Sequence, residues 1–428
     1  MAQPVVESGN YLFEVDTGFD YGSFRLNDAV KGVIGNTTYT LGPNASFADL
    51  TEYATSITYR RGRRRTVEQS GAATMTVVVD DKLAAGILNP LDDGSPYYDH
   101  EDDFFRLEPG RQVRLARMDG ATPEYLFVGT INTYDYKYQL RGDNQVSIQC
   151  VDDFYKLTQA KMDELNVDAE TSGERIATVL DLPEVDLFDA VERDIADGTV
   201  NLGHSAPYTV PAGTVAFTYL NQINQTAEGG RLFMSRDGVF TFKERIGNTL
   251  SAPVVQFSND GVLTPYNDLS VEYAGENVIN RQTVTGLDDT TYTAEDAASV
   301  ADYGYRTGHM SNSLLHDAAE IQEYAEYLLE PWPSTIYTSI QTSLPSCSQA
   351  QKDALALVDI GDTVEITATL PGTATNVTQE LAVEGIEGVI EFRRGHTIRF
   401  YTSPTTIVYL LLLDDAVYGK LDSDNVLG

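Results

Sequence analysis

The run Tyr59-Arg60-Arg61-Gly62-Arg63-Arg64-Arg65 puts five arginines into six residues, and the next patterned segment is Ala73-Thr74-Met75-Thr76-Val77-Val78-Val79-Asp80-Asp81. In the second segment apolar and polar residues alternate, the period of a strand with one buried face. The basic cluster therefore sits at the mouth of a β-element. The whole chain carries a formal net charge of -35, so its long-range field repels a polyanion. A lone basic patch on such a surface suits another acidic protein surface better than nucleic acid. Arg60, Arg61, Arg63, Arg64 and Arg65 read as an assembly joint at a subunit interface.

Composition agrees with a folded protein. At 428 residues, 42% hydrophobic and 10% aromatic, the chain is long enough for two or more cores. Cys150 and Cys347 lie in different halves without a CxxC spacing, which leaves neither a disulfide framework nor a zinc site and makes both buried small hydrophobes. The strongest apolar run, Ile407 to Leu413, is far short of the roughly 20 residues that span a bilayer. No basic head precedes an apolar stretch at the N-terminus, so we expect no export signal and no stable membrane association. The charges are 8 Lys and 21 Arg against 38 Asp and 26 Glu. Such a Lys-poor, Asp-rich surface stays hydrated where salt screens repulsion strongly, which suits a saline host. An acidic working surface in a GC-rich genome gives the same balance.

Along the chain, residues 54–157 read as an all-β unit. Strands are expected near Ser56-Arg60, Ala73-Val79, Gln112-Arg117, Tyr125-Tyr138 and Gln145-Val151, with turns at Asp119-Gly120 and Gly142-Asp143-Asn144. Short strands with regular turns imply a sandwich or barrel. Asn89 to Gly110 has turn chemistry and no periodicity, the mark of a long loop. Residues 158–266 are mixed: a helix Glu174 to Leu182 capped by Thr171-Ser172, a helix Val215 to Glu228 stopped by Gly229-Gly230, and a hairpin turning at Arg236-Asp237-Gly238. Residues 267–403 return to strands, interrupted by a helix from Ser313 to about Leu329 whose Leu314, Ala318, Ile321, Ala325 and Leu328 share a face.

Several segments, taken in order, resemble a known family. They are Tyr59 to Arg63, Pro109 to Arg114, Leu126 to Ile131, Val146 to Asp153, Ser172 to Ile176, Glu228 to Phe233, Ala294 to Ala297 with Tyr303-Gly304, Asp359 to Val364, and Val383 to Ile386. Together, over residues 50–403, they look like the minor tail proteins of long-tailed viruses, the tail-tip or baseplate hubs of siphovirus-like phages and archaeal viruses. The resemblance implies a mainly β fold with α+β elements: two tail-tube-type β-barrels joined by a small α/β middle domain. The division would be an N-terminal segment 1–53, a first barrel 54–157, an α/β domain 158–266, a second barrel with an inserted helix 267–403, and a docking tail 404–428. It also implies a non-enzymatic homotrimer in the virion, assembled in the host cytoplasm, whose six barrels adapt a sixfold tube to a threefold tip. Its partners would be a tail-tube or distal tail protein, a tape-measure protein, other tip or fibre proteins, and genomic DNA in transit. An acidic lumen lets DNA slide without sticking.

No catalytic constellation emerges from the sequence. His100, His204, His309, His316 and His396 lack HExxH spacing, and His309 and His316 suit exposed or cap positions. There is no GxSxG elbow and no phosphate-binding loop, so no cofactor is expected. The alternating Asp99, Glu101 and Asp103 offer hard oxygen ligands for Ca²⁺ but lack the EF-hand order, and a solvated loop is the simpler reading. Tyr134, Tyr136 and Tyr138 fall on one face of a strand, as a packed or subunit-facing stripe. Leu410, Leu411, Leu412 and Leu413 belong to an apolar run without a neighbouring partner strand, either an arm that docks on another subunit or a last strand of its own domain. A host-surface protein that binds carbohydrate or hydrolyses cell wall is the alternative reading.

Overall fold

The computed structural model describes residues 10–18, 46–65, 71–81, 84–100, 103–140, 144–202, 208–245, 252–372, 376–391 and 395–404. The chain is mostly β, 44% strand and 19% helix. Among the described residues 14 strands join in one mixed sheet. The two barrels expected from the sequence are not closed there. Two strand groups lie instead edge to edge in that sheet.

The first group is built on the alternating pattern of Ala73 to Asp81. Thr74–Asp80 pairs antiparallel with Gln145–Val151, setting Met75 opposite Cys150 and Val77 opposite Ile148. Period-two alternation sends these side chains to one face, and all four are buried. Gln112–Asp119 and Thr122–Lys137 continue the sheet to Tyr11–Asp16 and the short Phe47–Asp49. The long loop carries a small hairpin, Tyr98–Asp99 with Phe104–Phe105. It lies on the core, burying Leu88, Phe105 and Leu107.

The second group contains Val255–Ser258, Asp268–Tyr273, Thr335–Ser343, Thr363–Ala368, Val377–Glu391 and Gly395–Pro404. Val377–Glu391, at 15 residues, is long enough to serve two neighbours on one edge. Its first half pairs with Thr363–Ala368 and its second half with Ala54–Gly62, Gly385 facing Gly62 and Glu391 facing Ser56. One apolar core consequently runs through both groups. Close approach at this seam requires glycine at 388: a Cβ there would lie 2.1 Å from Cζ of Tyr59, the residue opposite it. The Tyr59 ring is fully buried, and its hydroxyl lies 3.1 Å from Nε2 of His396.

A second core lies outside this sheet. Cap chemistry sets some of its helix ends. Thr171 and Glu174 form a capping box before Ser172–Leu180, and Ala216–Ile223 continues into a π-helical turn, Asn224–Glu228, ended by Gly229 at φ 71°. The Arg231–Met234 and Phe240–Lys243 hairpin forms as the Asp-Gly turn predicts. The segment inserted between Asp268–Tyr273 and Thr335–Ser343 packs here too, where the sequence pattern placed it within the β-unit of residues 267–403. It forms a three-stranded sheet of Arg281–Thr285, Thr291–Glu295 and Thr307–Met310, with a helix Ala318–Tyr327. That helix starts later than its apolar pattern suggests because Asp317 accepts hydrogen bonds from the amides of Ala319 and Glu320 and acts as its cap. Leu314 and Leu315 are buried before the helix begins.

Gly388→Ala forces a methyl into the Tyr59 ring, an overpacking that costs about 1–3 kcal/mol. Gly71→Ala meets nothing within 4 Å. We expect the first substitution to lower the thermal midpoint and the second to leave it unchanged. Equal midpoints would show that the seam has room.

Candidate functional site

The structure divides the arginine cluster. Arg61 and Arg63 are 4% and 6% exposed, which unpaired guanidiniums do not tolerate. Arg61 meets a carboxylate of the turn that leads into Thr363–Ala368, and Arg63 one on Val377–Glu391. Arg61 donates to Asp359 Oδ1 at 2.6 Å, and Asp359 Oδ2 accepts the backbone N–H of Arg236 at 2.8 Å. Arg63 Nε donates to Glu384 Oε2 at 2.8 Å. Glu384 Oε1 accepts from Arg231 at 2.6 Å and from the Ser403 hydroxyl at 2.6 Å. Both carboxylates thus tie three parts together: the first strand group, the second, and the hairpin of the α/β core.

Glu384 reaches this position because the strand register shifts between Val383 and Gly385 in the pairing with Gly395–Pro404. A bulge adds one residue and re-aims its side chain. Gly385 follows it where a Cβ would be 2.4 Å from the Arg63 carbonyl oxygen, so the chains can close on the bulge only without a side chain there. Burial by itself raises the Glu384 carboxyl, but Arg231 and then Arg63 outweigh it and hold the pKa down at about 2.

Arg64 and Arg65 lie at the surface, their side chains 52% and 61% exposed. Arg64 is 4.0 Å from Glu387 and stands over the Tyr401 ring, and Arg65 is 3.8 Å from Glu272. Arg60 is half-buried on Ala54–Gly62, in register with Glu387 and Thr74. Beside Arg64 an open cleft of about 330 Å³ is lined by Gln341, Glu387, Val389, Thr397, Arg399 and Tyr401.

The other sequence candidates are placed as follows. Asp99 is buried and accepts from Arg106 Nε at 2.8 Å, and Asp103 accepts from the Tyr98 hydroxyl at 2.7 Å. Glu101 and Leu410 to Leu413 lie outside the described residues, as does His204. Among the described residues no group of three or more His, Cys, Asp or Glu could hold a metal ion, and no helix is long and apolar enough to cross a membrane. Tyr134, Tyr136 and Tyr138 stack in a column with centroids 6.1 and 6.0 Å apart. His396, given no role by spacing, is buried between the Tyr11 hydroxyl at Nδ1 and the Tyr59 hydroxyl at Nε2, both at 3.1 Å. Burial, reinforced by Arg117, lowers its pKa to about 3.

Sequence spacing did not find Asp359, Glu384, Arg231 or Ser403 as partners of the arginines. A signal was nevertheless present. The segments Tyr59 to Arg63, Glu228 to Phe233, Asp359 to Val364 and Val383 to Ile386, which carry part of the resemblance, converge on this joint.

The fold is shared with known structures. A tail protein from Neisseria meningitidis MC58 superposes with a TM-score of 0.55 at 13% identity, covering 85% of this chain and 95% of that one. The 43 kDa tail protein of prophage MuSo2 from Shewanella oneidensis gives 0.53 at 11% identity, over 93% and 97%. No family model matches the chain. No curated protein matches it either.

Glu384→Gln keeps the shape of the joint but removes the charge opposite the buried Arg63 and the partly buried Arg231, a loss of about 3–5 kcal/mol at neutral pH. The Glu384 pKa is depressed from 4.5 to about 2, so its contribution is complete above pH 4.5 and disappears as pH falls through 2. The urea midpoints of wild type and variant should therefore differ widely at pH 7 and converge between pH 4.5 and 2. A constant gap across that window contradicts the role assigned to Glu384.

Proposed function

We propose that this chain is a non-enzymatic structural protein of a virion tail, acting at the tail tip as the hub on which a siphovirus-like tube ends. The observation that carries this reading is the fold, shared with two tail proteins over nearly the full length of each. In this reading the two strand groups are the two tube-type units, the first within residues 54–157 joined by Tyr11–Asp16 and Phe47–Asp49, the second within 267–403 joined by Val255–Ser258. The α/β middle is drawn from residues 158–266 and takes in the segment inserted between Asp268–Tyr273 and Thr335–Ser343, and 404–428 is a docking tail. Three copies supply six units, one for each position of a sixfold tube, while the assembly itself has threefold symmetry. A seam fixed by buried ion pairs and glycine contacts favours this role, because a ring segment must hold its two units at a constant angle.

The partners are a distal tail or tube protein above, the tape-measure protein within, and tip or fibre proteins below. Genomic DNA passes through without staying bound. A net charge of -35 opposes adsorption of phosphate, so an acidic channel wall releases DNA as readily as it admits it. Assembly takes place in the host cytoplasm and the mature location is the virion.

Labelling the protein in purified particles and imaging them tests the location: the label should appear at the distal end of the tube, and particles without the protein should lack a tip. Label absent from particles rejects the virion reading. Arg64 and Arg65 are proposed to face another subunit. Their exposed pairs add no more than about 1 kcal/mol to the chain's own stability. Replacing both by Glu should leave the thermal midpoint of the isolated chain nearly unchanged while blocking tip assembly. Normal assembly would remove these two residues from the interface.

A further inference from the structure

We infer that Asp152 is a proton-operated latch between the first strand group and the α/β core: the junction is closed while the acid keeps its proton and opens when the proton leaves. This device goes beyond the tail reading and does not depend on it.

The chain passes from one core to the other at this residue. Cys150 and Ala73 belong to the core of the joined sheet, whereas Phe154 belongs to the second core and Ala72 packs against it. The Asp152 N–H donates to the Ala73 carbonyl at 3.0 Å, and the Asp152 carbonyl accepts from the Tyr155 N–H at 3.2 Å, in the first turn of the helix Phe154–Gln159. Any cost of burying a charge here therefore falls on the contact between the two cores.

Asp152 is 3% exposed, and its Oδ1 has no hydrogen-bond partner among the described residues. A buried carboxylate left unpaired is far costlier than the neutral acid. Glu384 is the opposite case in the same chain, likewise buried but met by three donors. Continuing the Arg60, Thr74 and Val151 register by one residue aligns Arg61, Ala73 and Asp152 across three strands. By the alternation of a strand all three side chains share the face of Tyr59, Met75 and Cys150. Arg61 nevertheless gives its Nη1 to Asp359 at 2.6 Å, and its Nε, like Asp152 Oδ1, has no partner among the described residues. No hydrogen bond joins the two. The other charge beside Asp152 is Asp153, of the same sign, whose carboxylate pairs with Lys156 at 2.8 Å.

Burial pushes the Asp152 carboxyl up to about 8. Asp153 adds to this rise, and the amides of Ala73 and Phe154 and the Arg61 charge oppose it without reversing it. The folded value lies above the ordinary 3.8, so the proton favours the fold. That contribution is complete below pH 3.8 and is lost progressively as pH rises to 8. Above 8 the charge reaches water only if the cores separate at the junction.

Asp152→Asn keeps the size of the side chain and removes its titration. Other groups titrate alike in both chains and cancel. The folding constant of the variant, from urea unfolding, should gain on that of the wild type by about tenfold per pH unit between 3.8 and 8 and no further above 8. Hydrogen exchange, corrected for its intrinsic rate, reads the opening itself. In the wild type the amides of Asp152 and Tyr155 should lose protection as pH passes 8, while those within Thr74–Asp80 keep theirs, and the variant should show no such loss. The wild-type exchange decides the matter even where the variant fails to fold. A ratio of folding constants that stays level from pH 3.8 to 8 overturns the inference. One that runs the other way, the wild type gaining with pH, shows a charged Asp152 paired with Arg61 and overturns it too. So does unchanged protection of Asp152 and Tyr155 across pH 8.

Discussion

The buried carboxylate of Glu384 is the constraint on which the arrangement of the chain depends. Taken out of water alone, it would be protonated or would unfold its surroundings. It remains charged because Arg63 donates to one of its oxygens, Arg231 to the other, and Ser403 supplies a further donor. Those three residues come from the first strand group, the α/β hairpin and the last strand. The charge can be satisfied only when all three parts are in place. Asp359 repeats the scheme with Arg61 and the Arg236 amide. Two adjacent three-way ties fix an angle as well as a contact.

The geometry around these ties follows from packing. Val377–Glu391 has its bulge where Glu384 turns inward and glycines at 385 and 388, where the opposite chain comes close. A single long strand can thereby change partner along one edge without breaking, and the apolar core runs through the seam. Tyr59 lies over Gly388 and closes the far side by holding His396, which Tyr11 holds from the N-terminal strand. A neutral imidazole suits that position because two tyrosine hydroxyls can serve its two ring nitrogens while no carboxylate is needed.

The surface is governed by a different balance. Against 64 acidic residues the chain has 29 basic ones; among the described residues few carboxylates are buried, and the basic residues are used selectively. Arg61, Arg63, Arg117 and Arg175 are buried, each paired with a carboxylate, a use that suits the planar, many-donor guanidinium better than lysine. The arginine-rich composition therefore reflects internal joints as well as exposed patches.

The sequence by itself determined the local elements: the alternation in Thr74–Asp80, the capping box at Thr171, the Asp-Gly hairpin and the stop at Gly229 all act through neighbours a few residues apart. It drew attention to the arginine cluster, but as a contact with another subunit, whereas Arg61 and Arg63 belong to a joint inside the chain. Only the tertiary structure decided what that joint connects, because Arg63 and Glu384 are 321 residues apart and charge pairing carries no periodic signature along a chain. The same limit hid the role of His396, whose partners Tyr11 and Tyr59 lie 385 and 337 residues away. It also made one strand-rich half look like an independent barrel. Alternation shows which face of a strand is buried, whereas the identity of the strand along its edge depends on backbone hydrogen bonds that are the same for every residue.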